Sequence, residues 1–219
     1  SIVIEKFHAE EWIMGPDHAF GKNRAGDSNF LQDAMNKYHI SIFPVALYTE
    51  KATVVSSTEI RAKLIDGRFD EAVSLLGHPY LIQAQRISGV GRGRRLGFPT
   101  CNFSAPLSNK VVPSTGVYAA TCEYRGTQLK GALYFGTTPS FGNIEVHFEF
   151  FSLDSMDAID IPSGETVSLW LCSFIRADRK FTDTQQLIEN INKDIEQIKQ
   201  FFSEEKAYAA YKRGETGNY

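Results

Sequence analysis

Residues 88–103 read SGVGRGRRLGFPTCNF, and the fold turns on how this stretch is taken. Gly89, Gly91 and Gly93 permit a loop whose backbone N–H groups can come close to a phosphate. Arg92, Arg94 and Arg95 add positive charge to that loop. An exposed hairpin tip on a barrel would have the same composition. Pro99-Thr100-Cys101-Asn102 then reads as extended chain. Thr100 and Asn102 are two apart, so in an extended backbone both project to one face. Each offers a neutral, hard oxygen, and Mg²⁺ takes a few such ligands together with waters and phosphate oxygens. The pair is therefore a candidate Mg²⁺-nucleotide site; satisfying the backbone of a turn is the other task open to it.

Downstream of this stretch the chain alternates. Short segments of period two are separated by Gly, Pro, Ser and Asn clusters. Strands are predicted at Tyr80–Ile87, Gly116–Tyr124, Gln128–Phe135, Ile144–Phe151 and Val167–Ile175. That spacing predicts an antiparallel barrel or sandwich. Gly136 and Pro139 punctuate a predicted loop. Beyond it, Glu145 and His147 share one face of a strand whose other face carries Ile144, Val146 and Phe148. A carboxylate at the mouth of a small barrel is costly without a task or a partner. General-base chemistry is one such task, and a solvent-facing polar strand side is the other reading. His147, roughly 6–7 Å along the strand, is the competing base.

The segment FIRADRKF, residues 174–181, sets Arg176, Arg179 and Lys180 ahead of a closing helix, as a phosphate or planar-ligand clamp or as ordinary surface. The helix is predicted over Thr184–Phe202, with Asp183 as its cap and one apolar stripe through Leu187, Ile188, Ile191, Ile195, Ile198, Phe201 and Phe202.

Upstream, residues 1–79 have an α/β texture. Glu11–Met14 reads as a strand running into Gly15-Pro16-Asp17 and a glycine-rich loop. A helix is expected at about Ser28–Tyr38 and a strand at Ile40–Tyr48. Ser56-Ser57-Thr58 opens a helix that Asp66-Gly67 breaks, and a second helix stops at Gly77-His78-Pro79. Hydroxyls and N–H groups at such a helix start suit a phosphate or serve as a plain cap. The expected domains are residues 1–79 and 80–219.

The 219 residues are 42% apolar and 22% charged, too apolar for a disordered chain. A net charge of -3 argues against a surface devoted to nucleic acid. No apolar run approaches the roughly 18 residues that span a bilayer, and residues 1–14 have no signal-peptide pattern. Cys101, Cys122 and Cys172 are far apart and odd in number, which predicts buried thiols in a reduced, cytoplasmic chain without disulfides or structural zinc.

The ordered blocks GPDHAFGKNRAGD, VSSTEIR, LLGHPY, GVGRGRRLGFPTCNF, GVYA, GTTPSFG, EVH and IRADRKF run through nearly the whole chain. Together they resemble the prokaryotic bifunctional riboflavin kinase/FMN adenylyltransferase family, also called FAD synthetase. The resemblance implies an α+β chain: a partial α/β nucleotidyltransferase segment, then an antiparallel Greek-key β-barrel with a C-terminal helix. It implies transfer of the γ-phosphoryl of Mg-ATP to the 5′-hydroxyl of riboflavin, giving FMN. Mg²⁺ and ATP then fall to Thr100 and Asn102, the base to Glu145, the nucleotide cover to Gly89, Gly91, Arg92 and Gly93, and the flavin side to Arg176. The partners implied are small molecules: ATP, riboflavin, FMN and FAD, with no nucleic acid and no membrane. A non-catalytic flavin-binding or interaction module on the same barrel is the alternative, and retention of Thr100, Asn102 and Glu145 together speaks against it.

The family's HxGH phosphate motif is missing from this sequence. The expectation is a fragment, or a protein that has lost its first half, in which this chain alone does not make FAD. Thr115 stands where the family usually has an acidic residue before GVYA, Tyr134 where it has a small polar one, and Phe150 where it has aspartate.

Overall fold

A computed structural model of the protein describes residues 6–15, 33, 36–50, 53–89, 91–104, 110–140, 143–154, 160–181 and 183–204, with backbone alone at 50, 53, 92, 137–140 and 143–146. These divide into two compact units, Ser1–Val55 and Ser56–Tyr219.

In the first unit, β1 (Glu11–Met14) pairs in parallel with β2 (Ser41–Pro44), Glu11 opposite Ser41 and Met14 opposite Pro44. Parallel neighbours need a long crossover between them, and residues 15–40 supply it. This is the α/β texture expected. The predicted strand Ile40–Tyr48 is shorter than its apolar run, ending at Pro44. Two-residue strands β3 (Thr49–Glu50) and β4 (Thr53–Val54) form an antiparallel ribbon. Most of the glycine-rich loop at 15–27 and of the helix expected at 28–38 lies outside the described residues.

The second unit starts with two helices, α1 (Ser57–Ile65) and α2 (Phe69–Leu76). Ser56 caps α1, its hydroxyl accepting from Glu59 N at 3.2 Å. Gly77, left-handed at φ 74°, closes α2, as a glycine without a Cβ can at low cost. Buried Lys63 on α1 reaches Glu71 on α2 at 2.7 Å. Asp70 then ties α2 to the barrel, accepting from Ser173 Oγ and Phe174 N, both at 3.0 Å. Leu64, Phe69, Ala72 and Val73 share one core with barrel residues Ile82, Phe103, Tyr118 and Leu169. Phe69 meets Tyr118 edge to face at 4.9 Å between ring centroids. The sequence reading placed the domain boundary after Pro79; by packing, both helices go with the barrel, because their apolar faces end in its core.

The barrel is closed, in the order β10-β5-β6-β9-β8-β7. Its strands are β5 (Tyr80–Ile87), β6 (Cys101–Phe103), β7 (Gly116–Tyr124), β8 (Thr127–Ser140), β9 (Asn143–Ser152) and β10 (Thr166–Ala177). Strands β7, β8 and β9 follow one another as hairpins, and β10 returns to pair with β7. That is Greek-key order, as expected. The predicted loop at Gly136–Pro139 is instead strand: β8 stays paired with β9 as far as Ser140 opposite Asn143. Alternate positions of an antiparallel ladder make no bond to the neighbour, so one proline near a strand end does not interrupt pairing.

β7 is buried along most of its length because both its faces are covered. Tyr118, Ala120 and Cys122 point into the barrel, whereas Val117 and Ala119 lie under the closing helix α4 (Thr184–Ser203). Asp183 caps α4, accepting from Gln186 N at 2.8 Å. Ile195, Ile198 and Phe202 are its buried stripe. Cys101, Cys122 and Cys172 are buried thiols that form no disulfide, and burial pushes the Cys122 and Cys172 thiols up to about 12.

Candidate active site

Strand parity builds the site. On β6, Cys101 and Phe103 are buried, so Asn102 between them projects from the barrel's outer side. On β9, Phe148 and Phe150 are buried, which turns His147 and Glu149 outward. The two strands are neighbours, with Asn102 opposite Glu149. β8 flanks β9 on the other side, with Tyr134 opposite Glu149 and Gly136 opposite His147. One outer patch therefore carries Asn102, Glu149, Tyr134 and His147.

Thr100, just ahead of β6, joins them: its hydroxyl donates to Glu149 Oε2 at 3.3 Å. The other carboxylate oxygen of Glu149 lies 3.1 Å from His147 Nε2. Because a carboxylate accepts, the ring proton resides on Nε2.

The glycine-rich stretch closes over this patch. A Cβ at Gly89 would lie 2.2 Å from Asn102 Nδ2. One at Gly93 would lie 2.3 Å from the Phe98 carbonyl and 3.0 Å from Thr100 Oγ1. Both glycines are thus required for the close approach of the loop to the two oxygen-bearing side chains. Gly91 has a different reason, a left-handed φ of 67° with open space around it. The loop is also more ordered than its composition suggests, since Arg92–Arg95 make one helical turn, α3. Arg94 and Arg95 are exposed on it.

The donor set fits a small, hard cation with phosphate. Thr100 and Asn102 offer oxygens, with the Glu149 carboxylate behind Thr100, and the loop above them leaves out the Cβ atoms that would fill the space. Among the described residues no group of three or more His, Cys, Asp or Glu is placed to hold a metal by itself.

Glu145 sits on β9 opposite Thr138, at the same parity as His147 and Glu149. Its side chain is not among those described. Arg176 lies on the irregular end of β10, where register shifts occur between Leu171 and Ser173 and between Phe174 and Arg176. Bulges of this kind re-aim side chains. Arg176 turns to α4: its Nε and Nη2 each donate to Asp194 at 2.8 Å, in a pair with both side chains largely buried. The sequence brought Arg176 forward for a ligand, and the structure engages it with the closing helix.

Of the three departures from the resemblance, Thr115 is exposed, and its carbonyl accepts from Asp178 N at 3.4 Å. Phe150 points into the barrel, where a Cβ at Gly131 would come within 2.5 Å of its ring. Tyr134 lies over Gly136. Burial first, then the neighbouring Asp178 and the charge of Glu149, push its phenol up to about 12.

Sequence reasoning passed over Glu149. It stands in a run of phenylalanines and reads there as an ordinary outward residue. Extending the parity of Glu145 and His147 by one step would have brought it in.

A riboflavin kinase family model matches residues 76–202, and an FAD synthetase family model matches residues 1–59. The bifunctional riboflavin kinase/FMN adenylyltransferase of Escherichia coli K12 is 32% identical over 202 residues, covering 92% of this chain and 63% of the relative. The protein of the same name from Bacillus subtilis 168 is 32% identical over 192 residues, covering 87% of this chain and 60% of the relative. The chain thus spans less than two thirds of the length of these curated relatives. A crystal structure titled as a macrolide-efflux protein from Streptococcus pneumoniae superposes with a TM-score of 0.73 at 28% identity, covering 87% of this chain and 60% of that one. Among the described residues no helix is long and apolar enough to cross a membrane. With the riboflavin kinase model matching more than half of its length, and the closed barrel carrying Thr100 and Asn102 beneath a glycine-rich loop, this chain belongs to the riboflavin kinase family.

Proposed function

We propose that this chain phosphorylates riboflavin, transferring the γ-phosphoryl of ATP to the ribityl 5′-hydroxyl and releasing FMN and ADP. The observation that carries the reading is the approach of Gly89 to Asn102 and of Gly93 to Thr100, which makes a cradle with oxygen ligands at its base. In this reading the backbone from Gly89 to Gly93, with Arg92, covers the nucleotide. Thr100 and Asn102 hold a magnesium ion, which when bound offsets the charge on the phosphate oxygens.

Glu145 is the proposed base. A primary hydroxyl is scarcely ionised at neutral pH, and a carboxylate in reach orients it and takes its proton as the phosphoryl group moves. The position of Glu145 on β9, at the parity of His147 and Glu149, supports this role. Arg176 and the surface of α4 that it anchors form the flavin side. The family match over residues 1–59 supports adenylylation of FMN as a second reaction where the HxGH phosphate motif, missing from this sequence, is supplied.

The experiment is direct: the chain is incubated with riboflavin and Mg-ATP, and FMN is followed by chromatography. FMN formation that falls by about 10²-fold or more in Glu145→Gln, with riboflavin affinity retained, is the expected result. A purified chain that binds riboflavin and makes no FMN would instead be a flavin-binding module. Supplying FMN and Mg-ATP in parallel reports FAD formation separately.

A further inference from the structure

We propose that Glu149 is the positioning residue of the cation site: it accepts the hydrogen bond of the Thr100 hydroxyl, so that the threonine oxygen meets the metal with a lone pair, and His147 holds Glu149 in place. The inference rests on the kinase reading above and adds to it a residue that neither the motifs nor the family match assigns.

The threonine hydroxyl has one proton and two lone pairs. With the proton directed to Glu149 Oε2, at 3.3 Å, the oxygen can only accept or ligate elsewhere. Without an acceptor the hydroxyl rotates freely, and part of the time presents its proton toward the cation. Glu149 is in turn fixed. Its second oxygen accepts from His147 Nε2 at 3.1 Å, and β6 and β8 place Asn102 and Tyr134 on its two sides. The side chain is 32% exposed, so the carboxylate is reachable and still held by two partners.

Orienting the Thr100 hydroxyl differs from two other roles that a carboxylate here could have. A direct metal ligand acts through its charge, and a general base acts through proton transfer. A positioning residue needs only an acceptor oxygen of the right reach, which glutamine keeps and leucine lacks.

The test is binding of Mn-ADP to the full chain, read by water-proton relaxation, with metal-free ADP measured by calorimetry as the control. Glu149→Leu is expected to weaken Mn-ADP by about tenfold or more, within the range usual for losing the hydrogen-bond partner of a metal ligand, and to leave metal-free ADP unchanged. Glu149→Gln is expected to stay within about threefold of the parent, because its amide oxygen still accepts from Thr100. Thr100→Val combined with Glu149→Leu should be no worse than Thr100→Val alone. The proposal is overturned if glutamine is as damaging as leucine, or if the Thr100 and Glu149 effects simply add. A parent chain that binds ADP with no dependence on Mn²⁺ would overturn the kinase reading and this inference together. Thermal melting of each variant separates misfolding from loss of the site, and the isosteric Glu149→Gln keeps the test open if Glu149→Leu fails to fold.

Discussion

Two glycines of one loop should respond to the same substitution in opposite ways. At Gly89 an added methyl would strike the Asn102 amide at 2.2 Å, the far end of a movable side chain. Gly89→Ala is therefore expected to leave the melting temperature nearly unchanged while displacing Asn102. FMN formation should fall by about a hundredfold, the usual scale for a misplaced group at a reacting centre. At Gly91 the methyl meets nothing, but the left-handed φ of 67° costs about 1–2 kcal/mol for a residue with a Cβ. Gly91→Ala should lower stability and spare turnover. Melting curves and FMN assays on the two variants check both halves. Thr100 and Asn102 were legible from sequence because period two is a rigid rule once a segment is extended. Their neighbour Glu149 was not, because nothing along the chain says that β6 and β9 are adjacent. The pairing that sets Asn102 opposite Glu149 joins residues 102 and 149 through space.

Among the elements, α4 shows how a legible helix can still hide its decisive contact. Its cap at Asp183 and its apolar stripe were both readable from side-chain type and spacing. The ion pair from Asp194 to Arg176 was not, since a charged residue between apolar ones normally reads as solvent-facing. Here both side chains are largely buried, at 20% exposure for Arg176 and 8% for Asp194. Asp194→Ala leaves the guanidinium without its partner and should cost about 3–5 kcal/mol, the range for breaking a buried pair from one side. Arg176→Met with Asp194→Leu removes both charges, and most of that loss should return. Urea unfolding of the three proteins gives the comparison; equal losses in the single and double variants would show that packing, rather than charge, docks the helix. The β8–β9 hairpin was misread for a related reason. Gly136 and Pro139 mark turns when seen alone, but a ladder already running from Gly131 opposite Ser152 carries them along.

For the molecule as a whole, the barrel unit begins earlier in the chain than its first strand. Leu64, Phe69, Ala72 and Val73 are all at most 3% exposed and belong to the barrel's own core. A chain shortened to start at Ser56 should therefore fold and phosphorylate riboflavin, whereas one starting at His78 should melt markedly lower or aggregate. Circular dichroism melts of the two truncated chains decide this, and equal melting temperatures would show that the helices are dispensable. The change of texture near residue 80 was legible because strands and helices differ in period. The allegiance of the helices was not, because an amphipathic face announces that it will be covered without saying by what. The same packing bears on how such proteins could exchange parts. A recombination crossover between Gly77 and Tyr80 would look harmless on a linear map, falling between a helix and a strand. It would nonetheless separate a plug from its socket, so a transferable cassette must include everything from Ser56 onward.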